Sequence, residues 1–379
     1  MTSPAPTVPA FPADFSDWRA WLSYAAAWTR EGVCHSAGAP STGHRSPASH
    51  SRHGQVRPTL RLDRIREDVP GEQWRTLFSS TWPAYRSWYL AGNALERPSL
   101  DEAHQALTTH MPELVPTWER LVDLAGGDRV AARMLTGWRM PPFISGCTQA
   151  VTPGSEPVLV RNYDYDPSLF EGVVAATNWS GRRKVLGTSD LLWGLLDGLN
   201  EDGLAVSLTW GGRPGQGVGF GIPIVIRYLL ETCTGVADAV SALRRLPVAQ
   251  AYNLSLVDTI GAHATVFVAP GKAPEVSLLR AAANHPLDRD GDSPTAGAVR
   301  SKERQTAASD LLLDHPHDAE RLGVGFTEAP LHNPDHSGGW GTLYTAVLEP
   351  ARGQVTYRWP GQSWTCRFDD EAGDVTVRL

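Results

Sequence analysis

Residues 145–164 read SGCTQAVTPGSEPVLVRNYD. Two β-type runs, ISGCTQAV and PVLVRNYDY, flank the turn-forming PGSEP of residues 153–157, the pattern of a β-hairpin. Cys147 lies in the first run, and Arg161 and Asp164 lie in the second, so strand pairing would bring the three together. An arginine beside a cysteine lowers the thiol pKa, and the thiolate is the nucleophilic form. The same spacing is met by a core cysteine with an Arg161–Asp164 salt bridge on the strand face, because free cysteine is among the most buried residue types.

Upstream of the hairpin, from Trp74 to Trp138, the pattern is helical. Ser99 and Glu102 form a capping box for an amphipathic helix over 99–125, which stops at Gly126-Gly127. Asp128 then caps a short helix, and the character changes at Pro141-Pro142. Downstream come the β-type runs GVVAATNW, GLAVSLTW, YNLSLVD, ATVFVA and VSLLRAA. Two helical stretches, 222–247 and 299–314, interrupt them, and GTLYTAVLEP, QVTYRWPG, WTCRF and DVTVRL close the chain. Many strands with few helices between them imply an α+β sandwich. Residues 36–57 are rich in Ser, Pro, Gly, Ala and His and read as a flexible low-complexity stretch within an extension over 1–57. Its His44, His50 and His53, with Cys34 and His35, fit no standard zinc spacing, so no metal is expected.

The 379 residues are 41% hydrophobic, enough for a sizeable core, and carry a net charge of −7, which speaks against nucleic acid or anionic membrane as partner. The longest apolar run, GIPIVIRYLL, is broken by Arg227, so no membrane insertion is expected. The N-terminus lacks a basic and then apolar leader, and Cys34, Cys147, Cys233 and Cys366 form no CxxC pair. A cytoplasmic protein with reduced thiols is the expectation. Only Lys184, Lys272 and Lys302 are lysines, leaving little room for Schiff-base chemistry. Of the 14 tryptophans, Trp179, Trp193, Trp210, Trp340 and Trp359 lie near turns and fit either an apolar pocket or ordinary core.

GCTQAV followed by LVRNYDY resembles the first hairpin of N-terminal-nucleophile (Ntn) cysteine amidases. The best match is the isopenicillin N acyltransferase-like autoproteolytic family, related to choloylglycine hydrolases and acid ceramidase. DGLNEDGLAVSL (197–208), AANHP around Asn284-His285, Ser301-x-x-Arg304 and GTLYTAVLEP are similar to later family segments in the same order. The resemblance covers roughly residues 58–379. It implies a four-layer αββα sandwich with an N-terminal helical segment, divided into a helical part over 58–146 and a catalytic domain over 147–379.

The resemblance also implies site roles. Cys147 is similar to a nucleophile released by cutting the Gly146–Cys147 bond, whose free α-amine then serves as base. Arg161 would sit over the thiolate, Asp164 would hold the α-ammonium, and Asn284 would donate to an oxyanion. Arg304 would support the site, with Arg300 as the competing counterpart. The implied substrate is a small-molecule acyl amide or thioester, with no cofactor, and a homo-oligomer is left open. Two departures stand out: Thr209 occupies the place of an asparagine of choloylglycine hydrolases, which speaks against bile salts, and Ala283 replaces a threonine. Without the resemblance, Asn284-His285 before Pro286 reads as a strand-end turn and His285 as structural. Two other readings compete. One is a catalytically silent Ntn-like scaffold that binds or regulates. The other is a papain-like peptidase, which needs a helix at the cysteine, where ISGCTQAV has no helical character.

Overall fold

The computed structural model describes residues 58–91, 97–142, 145–213, 215–287, 300–336 and 340–379. The extension 1–57, with its low-complexity stretch and His44, His50, His53, Cys34 and His35, lies outside the described residues.

The first described element is a strand, β1 (Thr59–Glu67), inside the segment read as helical. Its alternation buries Leu60 and Leu62 while charged neighbours face outward. Four helices follow: α1 (Glu72–Leu90), α2 (Leu100–His110), α3 (Val115–Leu124) and α4 (Arg129–Leu135). The single helix expected over 99–125 is two, because Pro112 starts a short 3-10 turn and Pro116 sits in the first turn of α3. Ser99 caps α2 by accepting from Glu102 N–H. The Glu102 side chain instead accepts from the Trp138 indole, so only half of the capping box forms. Asp128 caps α4, accepting from Val130 and Ala131 N–H.

The sandwich begins at β2 (Gly146–Val151) and β3 (Leu159–Asp164), the expected hairpin, followed by β4 (Val173–Thr177), β5 (Val185–Asp190), β6 (Gly194–Asn200) and β7 (Ala205–Trp210). Helices α5 (Ile222–Thr232) and α6 (Val236–Leu243) replace the one helix expected over 222–247. Then come β8 (Tyr252–Val257), β9 (His263–Val268), β10 (Glu275–Ser277), β11 (Ala281–Ala282), α7 (Ser301–Asp314), α8 (Ala319–Gly325), β12 (Thr342–Glu349), β13 (Gln354–Trp359), β14 (Gln362–Arg367) and β15 (Gly373–Arg378).

The strands form a nine-stranded sheet, β10-β9-β8-β7-β6-β5-β4-β1-β15, and a six-stranded sheet, β11-β2-β3-β12-β13-β14. The sheets pack face to face through β2 and β3 against β7 and β8. Helices α5 and α6 cover the outside of the larger sheet, and α7 and α8 cover part of the smaller one. This is the expected αββα sandwich. VSLLRAA, expected as one strand, is divided between sheets: β10 ends the larger and β11 pairs with β2 in the smaller. That crossing delivers Asn284 beside Cys147.

Trp179, Trp193, Trp210 and Trp359 are buried in the core, and the Trp193 and Trp359 indoles donate to Leu135 and Leu343 carbonyls. Only Trp340 of the five stays partly exposed, packed beside Gly146. The turn after β5 has an unusual backbone: Leu191 and Leu192 both take left-handed φ, 58° and 71°, which non-glycine residues rarely adopt. It is held by Tyr85 Oη, which accepts from Leu191 N–H, and by Glu171 Oε1, which accepts from Leu192 N–H. Burial and the neighbouring Glu171 push the Asp190 carboxyl up to about 8. An acid whose pKa is raised on folding stabilises below its unfolded pKa and loses that contribution as pH rises through the folded value. Asp190→Asn is therefore expected to raise Tm at pH 8.5 while leaving it nearly unchanged at pH 4, as read by thermal unfolding at both pH values.

Candidate active site

The register of the hairpin sets the site. Cys147 pairs with Tyr163, Gln149 with Arg161 and Gly146 with Asp164. Side chains alternate along a strand, so Cys147, Gln149, Arg161 and Tyr163 share the face toward the larger sheet, while Thr148, Asn162 and Asp164 face the helices. Cys147 and Arg161 are thus diagonal neighbours on one face, and Asp164 works from behind.

On the inner face, Arg161 Nη2 lies 3.3 Å from Cys147 Sγ. The guanidinium is wholly buried: Nε donates to Leu208 O at 2.8 Å, and Nη1 donates to Asp197 Oδ2 at 2.6 Å and to Tyr344 Oη at 3.0 Å. It also lies over the Tyr163 ring, 4.6 Å from the centroid. Burial works against its charge, but Cys147, Tyr344 and Asp197 raise its pKa well above the ordinary value.

On the outer face, Arg304 of α7 is buried and gathers three partners. Nη1 donates to Thr148 Oγ1 at 2.7 Å and to Asp164 Oδ2 at 2.9 Å, and Nη2 donates to Asn284 Oδ1 at 2.8 Å. Thr342 Oγ1 donates to the other Asp164 oxygen at 2.7 Å. Burial pushes the Asp164 carboxyl up, against Arg304 and the Thr342 hydrogen bond, which pull it down. Arg300 is exposed and paired with Glu303, so of the two arginines weighed only Arg304 reaches the cluster.

Asn284 links the two faces through the backbone. Its Oδ1 accepts from Cys147 N–H at 2.9 Å, and its Nδ2 donates to Trp210 O at 3.0 Å and Ser145 O at 3.3 Å. It therefore meets the Cys147 backbone as an acceptor, whereas the resemblance implied an amide donor to a substrate oxyanion. Asp164, expected at the Cys147 nitrogen, spends its hydrogen bonds on Arg304 and Thr342. Thr209 Oγ1 and Asn253 Nδ2 both donate to Ala283 O, fixing the strand end that carries Asn284. Gly212, at φ +72°, passes so close that a Cβ there would lie 2.6 Å from Asn284 O. His285 Nδ1 lies 2.7 Å from Ser301 Oγ.

The thiol itself differs from the sequence expectation. Cys147 has no exposed surface, and burial pushes its pKa up despite Arg161 and a 3.5 Å contact with Ser145 Oγ. Desolvation of the thiolate outweighs the neighbouring charge. Cys233 and Cys366 are also free and buried, as core residues. Asp197, Tyr344 and Thr342 were not singled out from the sequence. Asp197 sits in the quoted DGLNEDGLAVSL stretch, where a charged residue inside an apolar strand was the available signal. Among the described residues no group of three His, Cys, Asp or Glu side chains is placed to hold a metal, and no helix is long and apolar enough to cross a membrane.

The family described as acyl-coenzyme A:6-aminopenicillanic acid acyl-transferase matches residues 151–364, more than half of the chain. The matched span holds Arg161, Asp164, Asn284 and Arg304 and begins just after Cys147. No curated protein matches the chain in sequence. Among solved structures it is similar to penicillin V acylase from Agrobacterium tumefaciens, with 18% identity over 58% of this chain and 84% of that one, TM-score 0.42. It is also similar to a mutant form of conjugated bile acid hydrolase from Clostridium perfringens, with 12% identity over 60% and 96% of the two chains, TM-score 0.41. A third likeness is the Caenorhabditis elegans ortholog of N-acylethanolamine-hydrolyzing acid amidase, with 18% identity over 54% and 93%, TM-score 0.41. The family match and the αββα topology place this chain in the acyl-coenzyme A:6-aminopenicillanic acid acyl-transferase family of Ntn hydrolases.

Proposed function

We propose that the protein is an autoproteolytic cysteine acyl-transfer enzyme that cuts its own Gly146–Cys147 bond and then works through a Cys147 acyl-thioester on a linear amide or thioester. The observation that carries this reading is one point in space: Arg161 Nη2 lies 3.3 Å from Cys147 Sγ, while Asn284 Oδ1 takes the Cys147 N–H at 2.9 Å. A thiol with a fixed cation and a backbone nitrogen with a fixed acceptor are what an N-terminal nucleophile requires.

The uncut chain is dormant for a physical reason. An acylated nitrogen is no base, and burial holds the thiol protonated. In the maturation step, Sγ attacks the Gly146 carbonyl carbon and the C–N bond to Cys147 breaks. The nitrogen takes the thiol proton and leaves as an amine. Water then hydrolyses the thioester, giving the Gly146 carboxylate and restoring the thiol. Gly146 suits this step because its backbone is the least restricted, and a Cβ there would lie 3.0 Å from Asp164 Cβ.

The cut changes two groups at once. The new α-amine has an ordinary pKa of about 7.7 to 8.0, so part of it is neutral near pH 7 and can take the thiol proton. Ser145 lies on the departing side, so its carbonyl releases Asn284 Nδ2, which becomes a donor for a substrate oxyanion. One such donor contributes about 10²–10³ in rate. The α-ammonium protonates the leaving amine, and water or an acceptor amine removes the acyl group. We favour water, since no basic phosphate-binding cluster was apparent in the sequence.

Residues 58–146 would remain attached after the cut, because β1 lies between β4 and β15 of the larger sheet. Every other described strand falls within 147–379, apart from the first residue of β2. The test is to quench the protein during turnover of short-chain N-acyl amides and thioesters and weigh its peptides. A mass increase equal to the acyl group on the Cys147 peptide supports the proposal. Absence of any acyl-cysteine across both substrate classes favours the silent scaffold instead.

A further inference from the structure

The contacts of Arg161 place a second carboxylate at the site, distinct from Asp164 and on the opposite face of the hairpin. Asp197 has no exposed surface and ion-pairs with Arg161 Nη1 at 2.6 Å. Three donors hold it: Arg161 itself, Tyr344 Oη at 2.8 Å to Oδ2, and Thr188 Oγ1 at 2.7 Å to Oδ1. Thr188 Oγ1 is in turn 3.0 Å from Tyr357 Oη. These supports come from β5, β12 and β13, elements of both sheets, so the carboxylate is pinned across the interface. It sits on β6, where it pairs with Thr188 on one side and Ser207 on the other.

A buried carboxylate with three fixed donors cannot swing away, and a guanidinium bonded to it cannot rotate. Arg161 Nε is also tied to Leu208 O, which leaves Nη2 with one direction, toward Cys147 Sγ. We propose that Asp197 is a positioning and tuning residue for the nucleophile: it aims Arg161 at the thiol and draws off part of the guanidinium charge. This rests on the reading of Cys147 as nucleophile.

Two consequences follow from charge sharing. Arg161 and Asp197 together are neutral, so the cation pulls the thiol pKa down less than a lone arginine would. Removing the Asp197 charge while keeping its shape exposes Cys147 to an uncompensated cation and favours the thiolate. Removing the Thr188 donor turns more of the Asp197 charge onto Arg161 and has the opposite effect.

A readout on the thiol itself tests this without reference to substrate. Full-length protein carrying 13C-labelled cysteine is titrated by NMR, with the Cys147 Cβ signal assigned by its loss in Cys147→Ala. Asp197→Asn is expected to lower the Cys147 titration midpoint by about one pH unit, the order of effect of a nearby unit charge. Thr188→Val is expected to raise it by a smaller amount. A residue that merely stabilises the fold would lower Tm in both variants and leave both midpoints in place. An unshifted midpoint in folded Asp197→Asn overturns the proposal. If that variant does not fold, Thr188→Val decides: an upward shift supports the proposal and no shift overturns it. If Cys147 is not the nucleophile, Cys147→Ala retains acyl-substrate turnover while the midpoints still move, so the two failures are distinguishable.

Discussion

Arg161→Met is expected to leave the chain uncut and to depress acyl turnover by about 10³-fold or more, the scale at which fixed electrostatic groups act in acyl transfer. Methionine keeps most of the volume but loses every donor. The Cys147 thiol, already pushed up by burial, loses the cation that opposes that push. Asp197 meanwhile becomes a buried charge with two hydroxyl donors and no cation, a loss of about 3–5 kcal/mol. Activity could then fall through unfolding alone, so the double variant Arg161→Met with Asp197→Leu provides the control. Replacing both members of a buried pair by apolar side chains is often neutral for stability. The double variant should therefore regain Tm yet stay inactive. A folded double variant with turnover within tenfold of the parent contradicts the role given to Arg161.

Arg304→Met is expected to be strongly destabilising. Its guanidinium is the hub of the outer face, bonded to Thr148, Asp164 and Asn284 at once. Without it Asp164 is a buried carboxylate left with the Thr342 hydroxyl, again a loss of about 3–5 kcal/mol. Asp164 is already raised by burial, and losing Arg304, the largest opposing influence, raises it further. A carboxyl raised on folding stabilises below its unfolded pKa and loses that contribution as pH rises through the folded value. The Tm deficit of Arg304→Met should thus be larger at pH 8 than at pH 5. Arg304→Met with Asp164→Asn should narrow the gap between the two pH values. A pH-independent deficit in the single variant would mean that Asp164 is not the group left exposed to the loss.

The hairpin was legible because its chemistry and its punctuation agree: PGSEP breaks two β-type runs, and Cys147 and Arg161 have the parity that places them on one face. Asp164, paired with Gly146, has the opposite parity and lies on the other face of the hairpin, which proximity in sequence alone does not tell. The Asn284 segment was found through its resemblance, since two residues of strand carry too little pattern. β5 and β6 were overlooked for a physical reason. Gly187, Gly194 and Gly198 and the buried Asp197 dilute their alternation, and the turn between them uses Leu191-Leu192 where glycine or asparagine would be expected. β1 did carry a signal, Leu60 and Leu62 among charges, but it stood ahead of a strongly helical region and was absorbed into it. The thiol pKa is raised and not depressed because sequence shows the neighbouring Arg161 but not the depth of burial, and desolvation of the thiolate outweighs that cation.

The most direct measurement is intact mass and N-terminal sequencing of the purified protein beside its Cys147→Ala variant. The account predicts two chains, residues 1–146 and 147–379, the second beginning Cys-Thr-Gln-Ala, and one uncut chain for Cys147→Ala. A fully active protein that remains a single chain of 379 residues would contradict it.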